Sequence, residues 1–260
     1  MKDVQNLIDE RGIAIQKVGV SEVHLPFLIK TKAGGFQSVL ANIRLVVDLP
    51  KEYKGTHMSR FIDILNEWRQ KPVSFKEMAL ILADIIDRLS AQSANIDFSF
   101  KYFIEKEAPV SGMKSLLDYD CQFSGSLVRG EEMDFTLGVT VPFTSVCPCS
   151  KEISAYGAHN QRGLMRVKIK HCPSKFIWIE DLVKQMEAQG SAPVYSLLKR
   201  EDEKYLTEKA YENPKFVEDI LRDLVLMLRE IKGVTWFEVE CENYESIHNH
   251  SAYATHVEYI

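Results

Sequence analysis

The sequence predicts an α+β fold made of two tandem ββααββ modules, each an antiparallel sheet with helices on one face. Three observations point to it. Apolar and polar residues alternate with period two in the strand segments, apolar residues recur at three-to-four spacing in the helical ones, and this order of elements occurs twice in 260 residues.

A polar leader, residues 1–18, precedes the first module, residues 19–130. Glu22 to Lys30 and Phe36 to Leu49 are rich in β-branched and apolar residues, and Lys32-Ala33-Gly34-Gly35 between them reads as a hairpin turn. Thr56 precedes an amphipathic stretch reaching Trp68. A second helix follows from Phe75 to Ala91, with Met78, Ile81, Leu82, Ile85, Ile86 and Leu89 on one face. Two strands complete the module, Ile96 to Ile104, alternating through Phe98, Phe100 and Tyr102, and Leu116 to Val128.

The second module, residues 131–260, repeats the order. Phe135 to Val146 and Leu164 to Lys170 are strand-like, Ile179 to Gln189 is a helix, and Pro214 to Lys232 is a longer one. Asn213 is the expected N-cap of the long helix, Pro214 suits its first position, and Gly233 suits the left-handed residue after its end. Val234 to Glu242 and Ala252 to Tyr259 close the chain. Phe75-Lys76-Glu77 opens one long helix as Phe216-Val217-Glu218 opens the other, which favours duplication. Such a sheet leaves its edges open, and edges of this kind are capped by pairing with another copy. The expectation is therefore a closed homo-oligomeric barrel with sites at subunit seams.

Composition narrows the function. With 45 % apolar and 27 % charged residues the chain can bury a core, so disorder is excluded. The 32 Lys and Arg against 37 Asp and Glu leave a net charge of −5, which argues against a partner gripped along a nucleic-acid backbone. An anionic ligand must then meet a local basic pocket. The first residues lack a signal-type apolar run, and no window approaches the ~20 apolar residues of a membrane helix, so a cytoplasmic protein is expected. Five cysteines, an odd number in a chain of this size, favour thiol or metal chemistry over a disulfide framework. Cys121 and Cys241 lie inside strand-like runs and read as buried apolar residues.

The densest chemical cluster is Cys147-Pro148-Cys149 with His159 twelve residues after the first thiol. Thiolate and imidazole suit zinc or a similar ion, but the spacing is not that of a zinc finger. It points to an open site completed by remote residues. A metal-free thiol enzyme, with Cys149 as nucleophile and His159 as its base, is the alternative. In Glu245-Ser246-Ile247-His248-Asn249-His250, an extended backbone would put both imidazoles on one side, where they could move protons near neutral pH. The run Lys199-Arg200-Glu201-Asp202-Glu203 offers a further carboxylate ligand, with no preference among its three acids. Glu218 sits at the margin of its helix's apolar stripe, where an acid can face a pocket; an acid favoured by the helix dipole is the plainer explanation. In Gly55-Thr56-His57-Met58-Ser59-Arg60, a capped helix start with a basic residue can receive a phosphate.

GTHMSRF (55–61), TSVCPCSKEISAYGAHNQRG (144–163), NPKFVED (213–219) and ESIHNHSAYA (245–254) together resemble the prokaryotic type IB GTP cyclohydrolases. The resemblance covers essentially the whole chain beyond the leader. It implies a tunnelling fold of two ββααββ modules assembled as a homotetramer. The implied activity is hydrolysis of GTP to 7,8-dihydroneopterin triphosphate and formate, a step toward folate and, in some organisms, toward deazapurines of modified tRNA. The resemblance further implies that Cys147, His159 and Glu201 bind a divalent metal, zinc, manganese or iron, with no organic cofactor. Cys149 would touch the purine at its reacting carbon, Glu218 would anchor guanine, and His248 and His250 would transfer protons. His57, Arg60, Arg162 and Lys199 are the expected substrate-binding residues, the cations among them for the triphosphate. A non-catalytic purine- or pterin-binding scaffold of the same fold is the competing expectation.

Overall fold

A computed structural model describes residue 5 and residues 8–260; the leader residues 1–4, 6 and 7 lie outside it. In chain order the elements are β1 (Ile15–Lys30), β2 (Phe36–Leu49), α1 (Met58–Trp68), β3 (Pro72–Val73), α2 (Phe75–Arg88), β4 (Ser93–Glu107), β5 (Lys114–Val128) and β6 (Asp134–Val146). They continue as α3 (Pro148–Ile153), β7 (Asn160–His171), α4 (Ile179–Glu187), β8 (Ala192–Pro193), α5 (Arg200–Glu212), α6 (Val217–Glu230), β9 (Val234–Asn243) and β10 (Ala252–Tyr259). The chain forms two compact units, Met1–Lys101 with Gln122–Leu137, and Tyr102–Cys121 with Gly138–Ile260. Strands β4, β5 and β6 each contribute residues to both.

In the first unit the strands are ordered β3-β1-β2-β4. The β1–β2 hairpin is antiparallel out to Lys30↔Phe36. Its turn needs left-handed backbone at Gly34 and Gly35, φ 90° and 83°, conformations that cost glycine nothing. Alternation then does what period two requires: Val39, Ala41, Ile43, Leu45, Val47 and Leu49 of β2 are buried. Helix α2 buries Met78, Ile81, Leu82, Ile85 and Ile86 of the predicted stripe, while Leu89 is its half-buried C-cap. It starts where Ser74 and Glu77 form a capping box, the Ser74 amide donating to Glu77 Oε2 at 2.9 Å.

The second unit has the order β10-β9-β7-β6, with the two-residue β8 on β6. Val139, Val141 and Phe143 of β6, Met165, Val167 and Ile169 of β7, and Phe237, Val239 and Cys241 of β9 are buried. Leu182, Val183 and Met186 of α4, and Ile220, Leu224 and Leu228 of α6, are buried too. Helices α4 and α6 thus hold the two helical places of the expected module, and α3 and α5 are additions to it. Helix α6 begins at Val217 with Phe216 as N-cap, which corrects the start at Pro214. Asn213 ends α5 instead, because its side-chain amide donates to the carbonyls of Gly190 and Ser191 at 3.2 and 3.3 Å and is not free to cap the next helix. Among the described residues no helix is long and apolar enough to cross a membrane.

Gly163, at the end of the motif 157–163, is there for packing. A Cβ at this position would overlap the Phe143 ring and stand 2.5 Å from the Glu242 carbonyl oxygen on β9. Gly163→Ala is therefore expected to destabilise the unit by about 1–3 kcal/mol, the usual range for an overpacked core, read as a lowered midpoint in urea. An unchanged midpoint would mean that β7 can shift away without cost.

Candidate functional site

Strand β6 delivers the two thiols. It ends at Val146, and Cys147 turns extended backbone (φ −70°, ψ 119°) into α3, whose first residue is Pro148. Cys147 Sγ caps that short helix by accepting the Ser150 amide at 3.4 Å. Cys147 is half-buried and Cys149 exposed. The same Ser150 ties down the other end of the loop, because its hydroxyl accepts the His159 amide at 3.1 Å, while the Cys147 amide donates to the His159 carbonyl, also at 3.1 Å. Cys147 and His159, twelve residues apart, are thereby neighbours at the matching ends of β6 and β7. Cys121 and Cys241 are buried, and burial pushes the Cys241 thiol up to about 12. As expected, those two are buried.

The histidine loop joins this pair. Residues 244–251 link β9 to β10 as turns and bends, so the extended arrangement expected for His248 and His250 is corrected. The bend itself brings the two imidazoles together, stacked with centroids 5.2 Å apart and planes 18° from parallel. The start of the loop is held by β7: the Tyr244 amide donates to the Arg162 carbonyl at 2.9 Å, and Glu245 Oε1 accepts Gln161 Nε2 at 3.3 Å. Gln161 Oε1 meets His159 Nδ1 at 2.9 Å, and Ser246 Oγ approaches the same nitrogen at 3.5 Å.

Three acids stood undivided in the run 199–203, and the structure separates them. Asp202 is fully buried and accepts four hydrogen bonds: the amides of Val110, Ser111 and Lys199 at 2.9, 2.9 and 2.8 Å, and Ser111 Oγ at 2.6 Å. It fastens the turn between β4 and β5 to the start of α5 and has no lone pair to spare. Glu203 lines a cavity of about 270 Å³ together with Thr144, Asn160, Arg162, Tyr195 and Leu206. Glu201, on the first turn of α5, is exposed. Burial alone would raise the Asp202 carboxyl, but its hydrogen bonds from Ser111, Lys199 and Val110 prevail and hold it well below the usual range. A carboxyl lowered on folding stabilises the protein fully above its unfolded value, about pH 4, and progressively less as pH falls toward its native one. The melting-temperature gap between wild type and Asp202→Asn should accordingly be constant above about pH 4 and shrink below it. A gap that ignores acid would show that the charge of Asp202 contributes nothing.

Glu218 is exposed on the first turn of α6. The segment before it is strapped to the end of β6: the Lys215 amide donates to the Val146 carbonyl at 3.1 Å, and Ser145 Oγ donates to the Lys215 carbonyl at 3.0 Å. Asn243 Nδ2, buried at the end of β9, donates to Ser145 Oγ at 3.3 Å. The strap therefore couples the base of α6 to the strand that ends in Cys147. Lys199 precedes α5 with its side chain exposed, and Arg162 faces the 270 Å³ cavity. His57 and Arg60 belong to the first unit, where they line a separate cavity of about 220 Å³ with Asp48, Tyr53 and Ser90.

The donors fit a borderline divalent cation in kind, a thiol and an imidazole on residues joined backbone to backbone. In arrangement they are a pair. Among the described residues, no three His, Cys, Asp or Glu side chains come together as a ligand set. Gln161, Glu245, Ser145 and Asn243 are site-building residues to which motif reading gave no role, and Asp202 was named only as one of three possible ligands. For Gln161 a signal existed, since it shares the inward period of Gly163, Met165 and Val167.

Comparison with known proteins supplies the remaining findings. A family model described as type I GTP cyclohydrolase folE2 matches residues 1–254. The GTP cyclohydrolase FolE2 of Citrifermentans bemidjiense is 53 % identical over 254 residues, 98 % of this chain and 93 % of that protein. That of Geotalea uraniireducens is 55 % identical, over 98 % and 92 % of the two chains. Among solved structures, uricase from Arthrobacter globiformis aligns with a TM-score of 0.52 at 9 % identity, over 94 % of this chain and 93 % of that one. Urate oxidase from Bacillus sp. TB-90 aligns with a TM-score of 0.56 at 8 % identity, over 95 % and 100 %. At such identities the likeness is one of fold alone, the tunnelling fold expected from the motifs.

Proposed function

The chain belongs to the type I GTP cyclohydrolase FolE2 family, and from that footing we propose how its residues turn GTP and water into 7,8-dihydroneopterin triphosphate and formate. The observation that carries the reading is the pairing of Cys147 with His159, with the loop of His248 and His250 anchored to the same imidazole through Gln161 and Ser246. Cys147, His159 and Glu201 would hold a divalent ion. Such an ion, when bound, supplies Lewis acidity toward water and toward the purine.

The chain's own groups do the rest. Guanine presents N1–H and N2–H as parallel donors, and the two oxygens of Glu218 accept both, which adenine cannot offer. Cys149 is exposed two residues beyond Cys147, and it is the thiol that would meet the reacting C8. The stacked imidazoles of His248 and His250 give and take the protons that ring opening, formate release and ring closure require. Arg162 and Lys199 are the cations of this unit that would neutralise the triphosphate, while Arg60 and His57 line their own cavity in the first unit. The subunit is expected to work as a homotetramer. In support of that assembly, β10 ends the strand order and exposes Tyr253, Val257 and Tyr259.

The test is formate release from GTP, followed together with the fluorescence of the pterin, by protein loaded with zinc, manganese or iron and by the same protein after chelation. Stoichiometric formate and pterin, lost on chelation and restored by metal, is the expected result. Activity that survives thorough chelation but is abolished by Cys149→Ala would establish the metal-free thiol route instead. Absence of turnover with every metal would leave a binding scaffold.

A further inference from the structure

We propose that Gln161, oriented by Glu245, is a positioning residue that locks His159 in the tautomer with the proton on Nδ1 and the lone pair on Nε2. Glu245 is a carboxylate and only accepts, so the Gln161 atom 3.3 Å from its Oε1 is the amide nitrogen. The amide oxygen of Gln161 is thereby turned to His159, 2.9 Å from Nδ1. An amide oxygen also only accepts, and Nδ1 must then carry the hydrogen. In the neutral ring Nε2 is left as the basic nitrogen. The Ser246 hydroxyl, at 3.5 Å from Nδ1, is too distant to compete with the amide oxygen.

The surroundings make this a fixed device. Gln161 is 7 % exposed, one residue into β7, and cannot rotate freely. Glu245 is half-buried, with its amide donating to the Asn243 carbonyl at 3.0 Å, so the carboxylate is carried on a braced turn. A free imidazole in water prefers the opposite tautomer, with the proton on Nε2. A ring serving as a metal ligand or a base through Nε2 is thus prepared before any ligand arrives, which is what outer partners of ligating histidines do. The proposal deepens the reading of His159 given above, but the tautomer is observable without metal or substrate.

The experiment is long-range proton–nitrogen NMR of the histidine rings in metal-free, full-length protein at about pH 8, above the ordinary imidazole range. The His159 signals are identified by their loss in His159→Asn. Wild type should show the Nδ1–H pattern. Gln161→Met, close in volume, and Glu245→Leu, which removes the acceptor on the loop, should each shift the ring toward Nε2–H. Zinc affinity measured by titration on the same proteins should fall about 10–100-fold in Gln161→Met. An Nε2–H ring in wild type, or a ring pattern indifferent to both substitutions, would overturn the proposal. A tautomer that shifts while zinc affinity stays constant would keep the relay and remove His159 from the metal site. Should Gln161→Met fail to fold, Glu245→Leu decides alone.

Discussion

Cys147→Ala is expected to lose bound metal and to lose GTP turnover by about three powers of ten. Lewis-acid stabilisation is worth several kcal/mol, at about 1.4 kcal/mol per decade of rate. The substitution removes the thiol proposed as a ligand, while the backbone contacts that build the site survive it. The Cys147 amide still donates to the His159 carbonyl, and the His159 amide still reaches Ser150 Oγ. Only the bond from the Ser150 amide to Cys147 Sγ disappears. The fold should therefore persist, with a circular dichroism spectrum like that of wild type. Full metal occupancy in Cys147→Ala would remove this residue from the ligand set.

Glu218→Gln should keep its metal and lose kcat/KM for GTP by a factor on the order of 10²–10³, the scale on which a site built for a donor pair rejects a partner that mismatches it. The replacement offers one acceptor and one donor to two guanine donors, so an amide hydrogen is set against an N–H of the base. The helix keeps its geometry, because its N-cap bond, from the Phe216 amide to Asp219 Oδ2 at 3.1 Å, does not involve residue 218. Discrimination between GTP and ATP should shrink along with the rate. A variant that still turns over GTP at the wild-type rate would place the guanine anchor elsewhere.

Much of the fold was legible because burial imposes simple periods on the chain. The bounds of β2, Phe36–Leu49, match expectation residue for residue, and so does the buried stripe of α2 up to Ile86, since each element has one face against the core. The helix ends at Arg88, short of Ala91, with Leu89 as its half-buried C-cap. Helix α5 shows where that logic fails. Its buried residues are Asp202 and Ala210, so it carries almost no apolar stripe and its opening reads as a solvated charge run. The start of α6 was misplaced for a similar reason: Asn213 has the chemistry of a helix cap, and its side chain is taken by the carbonyls of residues 190 and 191.

The site divides along the same line. Its chemically distinctive residues, the cysteines and histidines, stand in compact motifs and were found there. Its supports are ordinary polar residues whose partners are remote in sequence: Gln161 and Glu245 are 84 positions apart, Asp202 and Ser111 are 91 apart, and Asn243 and Ser145 are 98 apart. No local pattern announces such pairs. The choice among Glu201, Asp202 and Glu203 shows the gain, because four hydrogen bonds occupy Asp202 and leave the exposed Glu201 and Glu203 as the remaining candidates.

The central claim is that Cys147 and His159 share one divalent ion in the site where GTP is opened. X-ray absorption at the zinc edge of zinc-loaded protein tests it most directly. The account predicts one sulfur at about 2.3 Å with nitrogen and oxygen at about 2.0–2.2 Å, the sulfur vanishing in Cys147→Ser and one nitrogen in His159→Asn. A shell without sulfur, or one with two sulfurs, would contradict it.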